Sequence, residues 1–542
     1  MKSEAIVKHP YILAAAACLI CLFCTAGQYA DMRPFGEGIV LFCLGELLAW
    51  ISCKSRKEFL PASALSLALA IAGSILNFEP QLMFYLGLFI LLAAAFYGRY
   101  KKTLDTEKLV TLILIFGFWV KLNYVLYTDV ATRQNDMGTF EEGVYNLFHS
   151  GYIMYVRDNL SLPDVDVRQA GQFYHPPFHY FVCAIFLRIY EAVVGGKNYE
   201  SLQFLSLCYS QIATILIVKS SKELGVKKDN LPTVTLVLSA FPALILLSGS
   251  VNNDILSFML VCVSFYMALK WYNSGTYKDA CISAVAAGLA MMTKLSAALI
   301  AVPLAVLFIA RFIQKDKIKT ILTAVVYAAI SIPLGLWFQI RNYLKFGVPL
   351  TYVLPSDNPY QDISGYSVWQ RLFGFYNLPV EDFFINLGSD GQKDYNIAIT
   401  FIKTALFGEE NYRDDMELSL IGYFLLWTFV ALIILILAGL VISLIQSRKA
   451  PQLSVAAYFL TVLLSYNVFA IKYPHICSMN FRYTMPLVLC GAYCLGVVME
   501  KNPKLKKVTH IICAAFAVLS VAFYIVVQYY VKGEVTVAEV VP

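Results

Sequence analysis

Stretches of close to twenty apolar residues recur along most of this chain, separated by short basic connectors. A helix needs about 20 such residues, at about 1.5 Å per residue, to cross the hydrocarbon core of a bilayer. Backbone groups in lipid find no water to bond, so such runs fold as helices that satisfy their own polar groups. The expected fold class is therefore an all-α polytopic membrane protein with about 15 spans. They fall at 10–27, 37–53, 62–77, 82–98, 109–127, 200–219, 231–249, 255–271, 279–293, 296–313, 320–340, 418–442, 452–471, 484–499 and 508–530. Composition agrees: 59% of the 542 residues are hydrophobic and 14% charged, where soluble domains hold about 45–50% and about 25%.

The first run follows Lys2 and Lys8 and reaches Ala26. It has the outline of a signal peptide, but the preferred reading is a retained first span. Most of the 13 cysteines lie inside apolar runs, as in "AAAACLICLFC", where they read as small packing residues. The net charge of +6 is small for this length and the basic residues form no stripe, so no nucleic-acid partner is expected.

Basic residues in short loops set orientation. With the N-terminus inside, the inner loops hold Lys54, Arg56 and Lys57; Arg99, Lys101, Lys102 and Lys108; Lys219, Lys222, Lys227 and Lys228; Arg311, Lys315, Lys317 and Lys319; Arg448 and Lys449; and Lys501, Lys504, Lys506 and Lys507. One segment tests the scheme. Residues 178–194, "FHYFVCAIFLRIYEAVV", would reverse everything after them if they crossed the membrane. They follow Pro176-Pro177 and carry Arg188 and Glu191, so they read as a juxtamembrane helix on the outer side. Two long segments, 128–199 and 342–417, then face outside. Loops of that length seldom serve as mere connectors.

This topology brings several ionisable residues to one level, the outer ends of the spans. Asp136 and Glu141 follow the span at 109–127. Tyr174 and His175 lie in "FYHPPFHY", and Asn253 and Asp254 in "SGSVNNDIL". Lys294 lies in "GLAMMTKLSA", Arg341 in "WFQIRNYLKFG" and Arg482 in "NFRYTMPL". Ionisable groups are costly in a membrane and are functional candidates by default. Bland readings stand beside this one. Asp136 and Glu141 fit a solvated loop helix, Asp254 an N-cap, and Lys294 a snorkelling amine. Arg341 and Arg482 fit headgroup contacts, and His175 a simple aromatic stack.

Together these stretches resemble the glycosyltransferase-C superfamily, and within it the protein O-mannosyltransferases and the lipid A aminoarabinose transferases. The pattern runs from about 109 to 490: an acidic residue in the first outer loop, "YHPPFHY", Asn253-Asp254, "GLAMMTK", Arg-Asn-Tyr after a Trp-containing span, and "RYTMP". The resemblance implies an enzyme that transfers a sugar from a polyprenyl-phosphate donor to a lipid, glycan or protein acceptor on the outer face of the plasma membrane. It implies Asp136 as the general base, with Asp254 a second catalytic candidate. His175, Lys294, Arg341 and Arg482 would contact the donor phosphate; Glu141, Tyr174 and Asn253 would contact substrate. His175 departs from the pattern, since relatives place a Lys there. The resemblance also divides the chain into extra N-terminal spans (1–108), a core (109–341), an aromatic outer loop (342–417) and C-terminal spans (418–542).

The chemistry suits these residue types. Breaking the anomeric bond passes through an oxocarbenium-like state. The leaving phosphate is already anionic and needs cations, for which the planar fork of Arg is well shaped. An acceptor hydroxyl needs a base, typically worth ~10²–10⁴-fold. No Gly-rich nucleotide loop is present, which agrees with a lipid and not a nucleotide donor. A metal-independent reaction without a cofactor is the preferred reading, and direct displacement would invert the anomeric centre. Asp136, Asp164, Asp166 and Asp254 remain as oxygen ligands should a metal take part. The rival reading is a transporter or flippase of a lipid-linked sugar, which would place its charges near the bilayer midplane.

Overall fold

The computed structural model describes residues 80–534 except 129, 131–137, 139, 146–147, 170, 355–357, 376–383, 385–393, 410–415 and 447–448, with scattered positions between 42 and 71. The span expected at 10–27 lies outside the described residues, as does Asp136, and those at 37–53 and 62–77 are described only at scattered positions.

Every described element is helical. In chain order come α1 (Pro80–Tyr100), α2 (Thr106–Tyr127), α3 (Phe148–Asn159), α4 (Phe178–Val194), α5 (Gln203–Glu223), α6 (Leu231–Ser239) and α7 (Pro242–Gly249). Next are α8 (Asn253–Ser274), α9 (Tyr277–Met291), α10 (Ala301–Gln314), α11 (Lys317–Phe346), α12 (Val368–Phe373) and α13 (Ile397–Phe407). The last four are α14 (Met416–Gln446), α15 (Ala450–Lys472), α16 (Pro486–Lys501) and α17 (Pro503–Glu534).

Among the described residues 8 helices are long and apolar enough to cross a membrane, or up to 10 if each bent pair counts as one span. The chain is thus a multi-pass integral membrane protein. The helices differ from the sequence expectation in three places. The runs at 231–249 and 484–499 are bent pairs, with angles of 49° and 53°. Pro242 and Pro486 open the second helix of each pair, and a proline there lacks the N–H that would continue the preceding helix. The run at 82–98 becomes the 21-residue α1, and the run at 279–293 becomes the 15-residue α9, which falls short of a full span.

The basic connectors gather at one end of the bundle. Lys228 pairs with Glu107 at 3.3 Å and Lys227 with Glu500 at 3.8 Å. Arg311 donates to the Trp271 carbonyl at 3.2 Å and also to that of Tyr272, at the last turn of α8. Opposite lie the C-termini of α2, α9 and α11 and the N-terminus of α8. The hairpin of α8 and α9 shows this most directly, since Lys294, just past α9, returns to touch Asp254 in the first turn of α8.

The main core runs through the spans, with Phe265, Trp271, Tyr458, Cys490 and Phe516 fully buried. A separate cluster of Tyr152, Tyr180, Leu187 and Phe338 joins α3 and α4 to α11. α4 turns Tyr180, Cys183, Ala184 and Leu187 inward and leaves Ile185, Ile189 and Val193 exposed. It is 17 residues long. An apolar outer face on a helix of that length fits one lying along a membrane surface.

Candidate active site

The N-terminus of α8 builds the centre of the site. Asn252 is the N-cap, its side chain accepting from the Asp254 N–H at 3.1 Å. The capping role considered for Asp254 therefore belongs to Asn252, and the Asp254 carboxylate is released to point elsewhere. It is 5% exposed. One of its oxygens accepts a hydrogen bond from Lys294 Nζ, and the other lies 3.8 Å from Arg482 Nη1. The Lys294 amine sits 4.6 Å from the Tyr483 ring centroid, and the Arg482 guanidinium lies 5.2 Å from the same ring. Two cations, one carboxylate and one aromatic face are thus drawn from three separate elements, in a low-dielectric setting where unpaired charges are costly.

These groups line a cavity of about 480 Å³ together with His149, Tyr174, His175, Asn253, Gln339, Asn342, Tyr352 and Tyr466. That volume suits a small-molecule substrate. His175 is held by its backbone N–H donating to the Gln172 carbonyl at 3.1 Å. Its ring packs 4.1 Å from that of Tyr174 and 5.5 Å from that of His149. Burial, and then the neighbouring His149, Lys294, Arg482 and His179, hold the His175 imidazole well below its usual pKa. It therefore stands in the cavity as a neutral hydrogen-bonding ring, not as the cation a Lys would supply.

Six sequence candidates meet here: Tyr174, His175, Asn253, Asp254, Lys294 and Arg482. Two others lie elsewhere. Glu141 is exposed on its loop. Arg341 is turned out of the cavity, donating to the Pro163 carbonyl at 2.9 Å and to Asp164 at 3.4 Å. Lys345 holds the same Asp164 carboxylate at 2.6 Å, and Arg168 holds Asp166 at 2.6 Å. The carboxylates of "PDVD" are thus engaged in ion pairs with their own surroundings. Among the described residues no group of three His, Cys, Asp or Glu side chains is placed to hold a metal.

Sequence reasoning missed His149, Gln339, Asn342, Tyr352 and Tyr466. His149 Nδ1 lies 2.7 Å from the Tyr180 hydroxyl. The Tyr466 hydroxyl donates to the Met479 carbonyl at 2.6 Å, which steadies the turn leading to Arg482. Tyr466 also borders a second chamber of about 280 Å³, lined by Phe401, Phe429, Ile436, Leu463 and Phe481 and almost wholly apolar.

Comparison with known proteins bears on this geometry. Residues 174–337 match the family model of dolichyl-phosphate-mannose-protein mannosyltransferase. The match indicates a glycosyltransferase. It covers the "YHPPFHY" stretch, Asp254 and Lys294, and agrees with the resemblance to the glycosyltransferase-C superfamily. No curated protein sequence matches the chain. Three solved structures are similar in outline. ArnT from Cupriavidus metallidurans in the apo state is 12% identical, with 77% of this chain and 76% of that one covered and a TM-score of 0.46. ArnT from the same organism bound to undecaprenyl phosphate is 13% identical, with 78% of each chain covered and a TM-score of 0.46. The Archaeoglobus fulgidus oligosaccharyltransferase in the apo form is 14% identical, with 77% of this chain and 56% of that one covered and a TM-score of 0.47.

Proposed function

We propose that this glycosyltransferase takes a sugar from a polyprenyl-phosphate donor and transfers it to an acceptor hydroxyl at the outer face of the plasma membrane. The observation that carries the reading is the pairing of two chambers. A cavity holding Lys294 and Arg482 shares Tyr466 with an apolar chamber. A donor with an anionic phosphate between a sugar and a long hydrocarbon tail requires both environments. The matched family's description, which names a dolichyl-phosphate sugar, supports the same donor class.

In this reading Lys294 and Arg482 stabilise the phosphate as the anomeric bond breaks. Such charge stabilisation is typically worth ~10²–10³-fold per donor. Asp254 orients the two cations. Neutral His175 hydrogen-bonds the phosphate, whose oxygen leaves with it as the anomeric bond breaks, and Tyr174 and Asn253 pack around the substrate. Asp136, which follows α2 in the sequence, is the general base, and the single displacement inverts the anomeric centre. Arg341 acts through Asp164, fixing the "PDVD" loop beside α11. A flippase is disfavoured by the placement of Asp254 and Lys294 at one end of α8 and α9, since it would need charges near mid-span.

The test is transfer from radiolabelled polyprenyl-phosphate sugars to membrane extracts, with purified wild type, Asp136→Asn and Arg482→Gln side by side. Labelled product from the wild type, reduced at least 100-fold in both variants, is expected. Equal product from Asp136→Asn would remove that residue as the base. No product from any donor with folded wild type would overturn the proposal in favour of transport.

A further inference from the structure

α11 brings a second kind of chemistry to the cavity. Gln339 is 7% exposed and lines the cavity, yet its side-chain carbonyl oxygen has no hydrogen-bond partner among the described residues. Asn342, one turn further on and 4% exposed, lines the same wall. Its Oδ1 accepts from Arg341 Nη1 at 2.9 Å, which leaves its amide nitrogen to donate. Arg341 is itself anchored to the Pro163 carbonyl, so the Asn342 amide is fixed in orientation from behind. A buried amide without a partner costs about 1–3 kcal/mol, and such groups in native proteins call for an explanation.

The missing partner has a definable chemistry. A phosphate diester offers only accepting oxygens, so it can meet the nitrogen of an amide but not its carbonyl oxygen. A prenyl chain offers nothing. A hydroxyl both donates and accepts, so it satisfies Gln339 whichever way the amide is turned. Two amides at positions i and i+3 of one helix lie side by side, which fits adjacent hydroxyls on a ring better than the single reacting hydroxyl of an acceptor. Resting on the donor class proposed above, we propose that Gln339 and Asn342 bind hydroxyl groups of the transferred sugar and determine which sugar the enzyme accepts.

The experiment uses undecaprenyl-phosphate mannose, undecaprenyl-phosphate glucose and the 2-, 3-, 4- and 6-deoxy forms of each, with full-length wild type, Gln339→Met, Gln339→Ala and Asn342→Ala. Gln339→Met keeps the length of the side chain and removes its polar atoms, so it separates recognition from packing. For the wild type, one deoxy donor is expected to fall about 10- to 100-fold below its parent in kcat/KM, the size of one buried hydrogen bond. In Gln339→Met the parent should fall by a similar factor and that deoxy donor should equal it. Wild type indifferent to every deoxy donor would overturn the inference. So would a Gln339→Met penalty that is the same for parent and all deoxy forms, because the amide would then serve the acceptor or a bound water. Wild type inactive on both parent donors would overturn the donor reading itself, and that outcome appears before any variant is made.

Discussion

At the scale of single residues the site is a matter of paired charges. Asp254, Lys294 and Arg482 are all largely buried, and removing one member leaves the others without compensation. Asp254→Asn is expected to destabilise the protein by ~3–5 kcal/mol, read as a lowered thermal midpoint in detergent. Asp254→Asn should also abolish most transfer. Arg482→Lys keeps the charge and loses the planar fork, and kcat/KM should drop by ~10²–10³ with little change in folding. A second residue-scale prediction concerns acid. Burial, with His149 next, also pushes His179 down, to about 3. Both His175 and His179 are therefore neutral when folded and bind protons more readily when unfolded. Their contribution to stability is complete above about pH 6.5, the unfolded value, and falls as pH drops below it, by up to ~1.4 kcal/mol per pH unit for each. Melting curves between pH 8 and pH 5 should show this slope, and His179→Gln should flatten it. A midpoint independent of pH would contradict neutral burial.

At the scale of elements, close helix contacts rely on small residues. A side chain at Gly439 of α14 would run into the Cys494 carbonyl of α16, 2.1 Å from the added carbon. Backbone cannot be repacked as a side chain can, so Gly439→Ala should cost ~1–3 kcal/mol and shift the thermal midpoint down without altering substrate preference. In α13 the buried Lys403 amine bonds to Asp394 at 2.6 Å and to the Phe384 carbonyl at 3.1 Å. Asp394→Asn should loosen that pair and lower the thermal midpoint in detergent. The elements themselves were largely legible from apolar runs, because length and hydropathy decide a span. What the runs hid were the proline bends and the short α9. The site was legible only where it was charged. Gln339 and Asn342 carry no charge, and His149 sits in an unremarkable stretch, "NLFHSGY". Arg341 was misplaced for a geometric reason: at about 100° per residue it points some 200° away from Gln339, so the most conspicuous residue of its turn faces Asp164 while the amides face the cavity.

At the scale of the whole molecule, the two ends of the bundle differ in chemistry, and that difference carries the orientation. One end joins Glu107, Lys227, Lys228, Arg311 and Glu500. The other holds the cavity and the α3–α4 cluster. Short loops rich in Lys and Arg stay on the cytoplasmic side, so the cavity end should face outward, where a lipid-borne sugar would meet an acceptor arriving from outside. Cysteines introduced singly, in a background with its native cysteines replaced, give a direct test. Lys315→Cys lies at the basic end, and Lys197→Cys lies beside α4, where Lys197 pairs with Glu142 on the surface. In intact cells a membrane-impermeant maleimide should label position 197 at once and position 315 only after permeabilisation. The reverse pattern would invert the molecule and require an inward-facing cavity. Labelling of both positions from the same side would mean that an odd number of the apolar helices between them fail to cross, with the short α9 the first to re-examine.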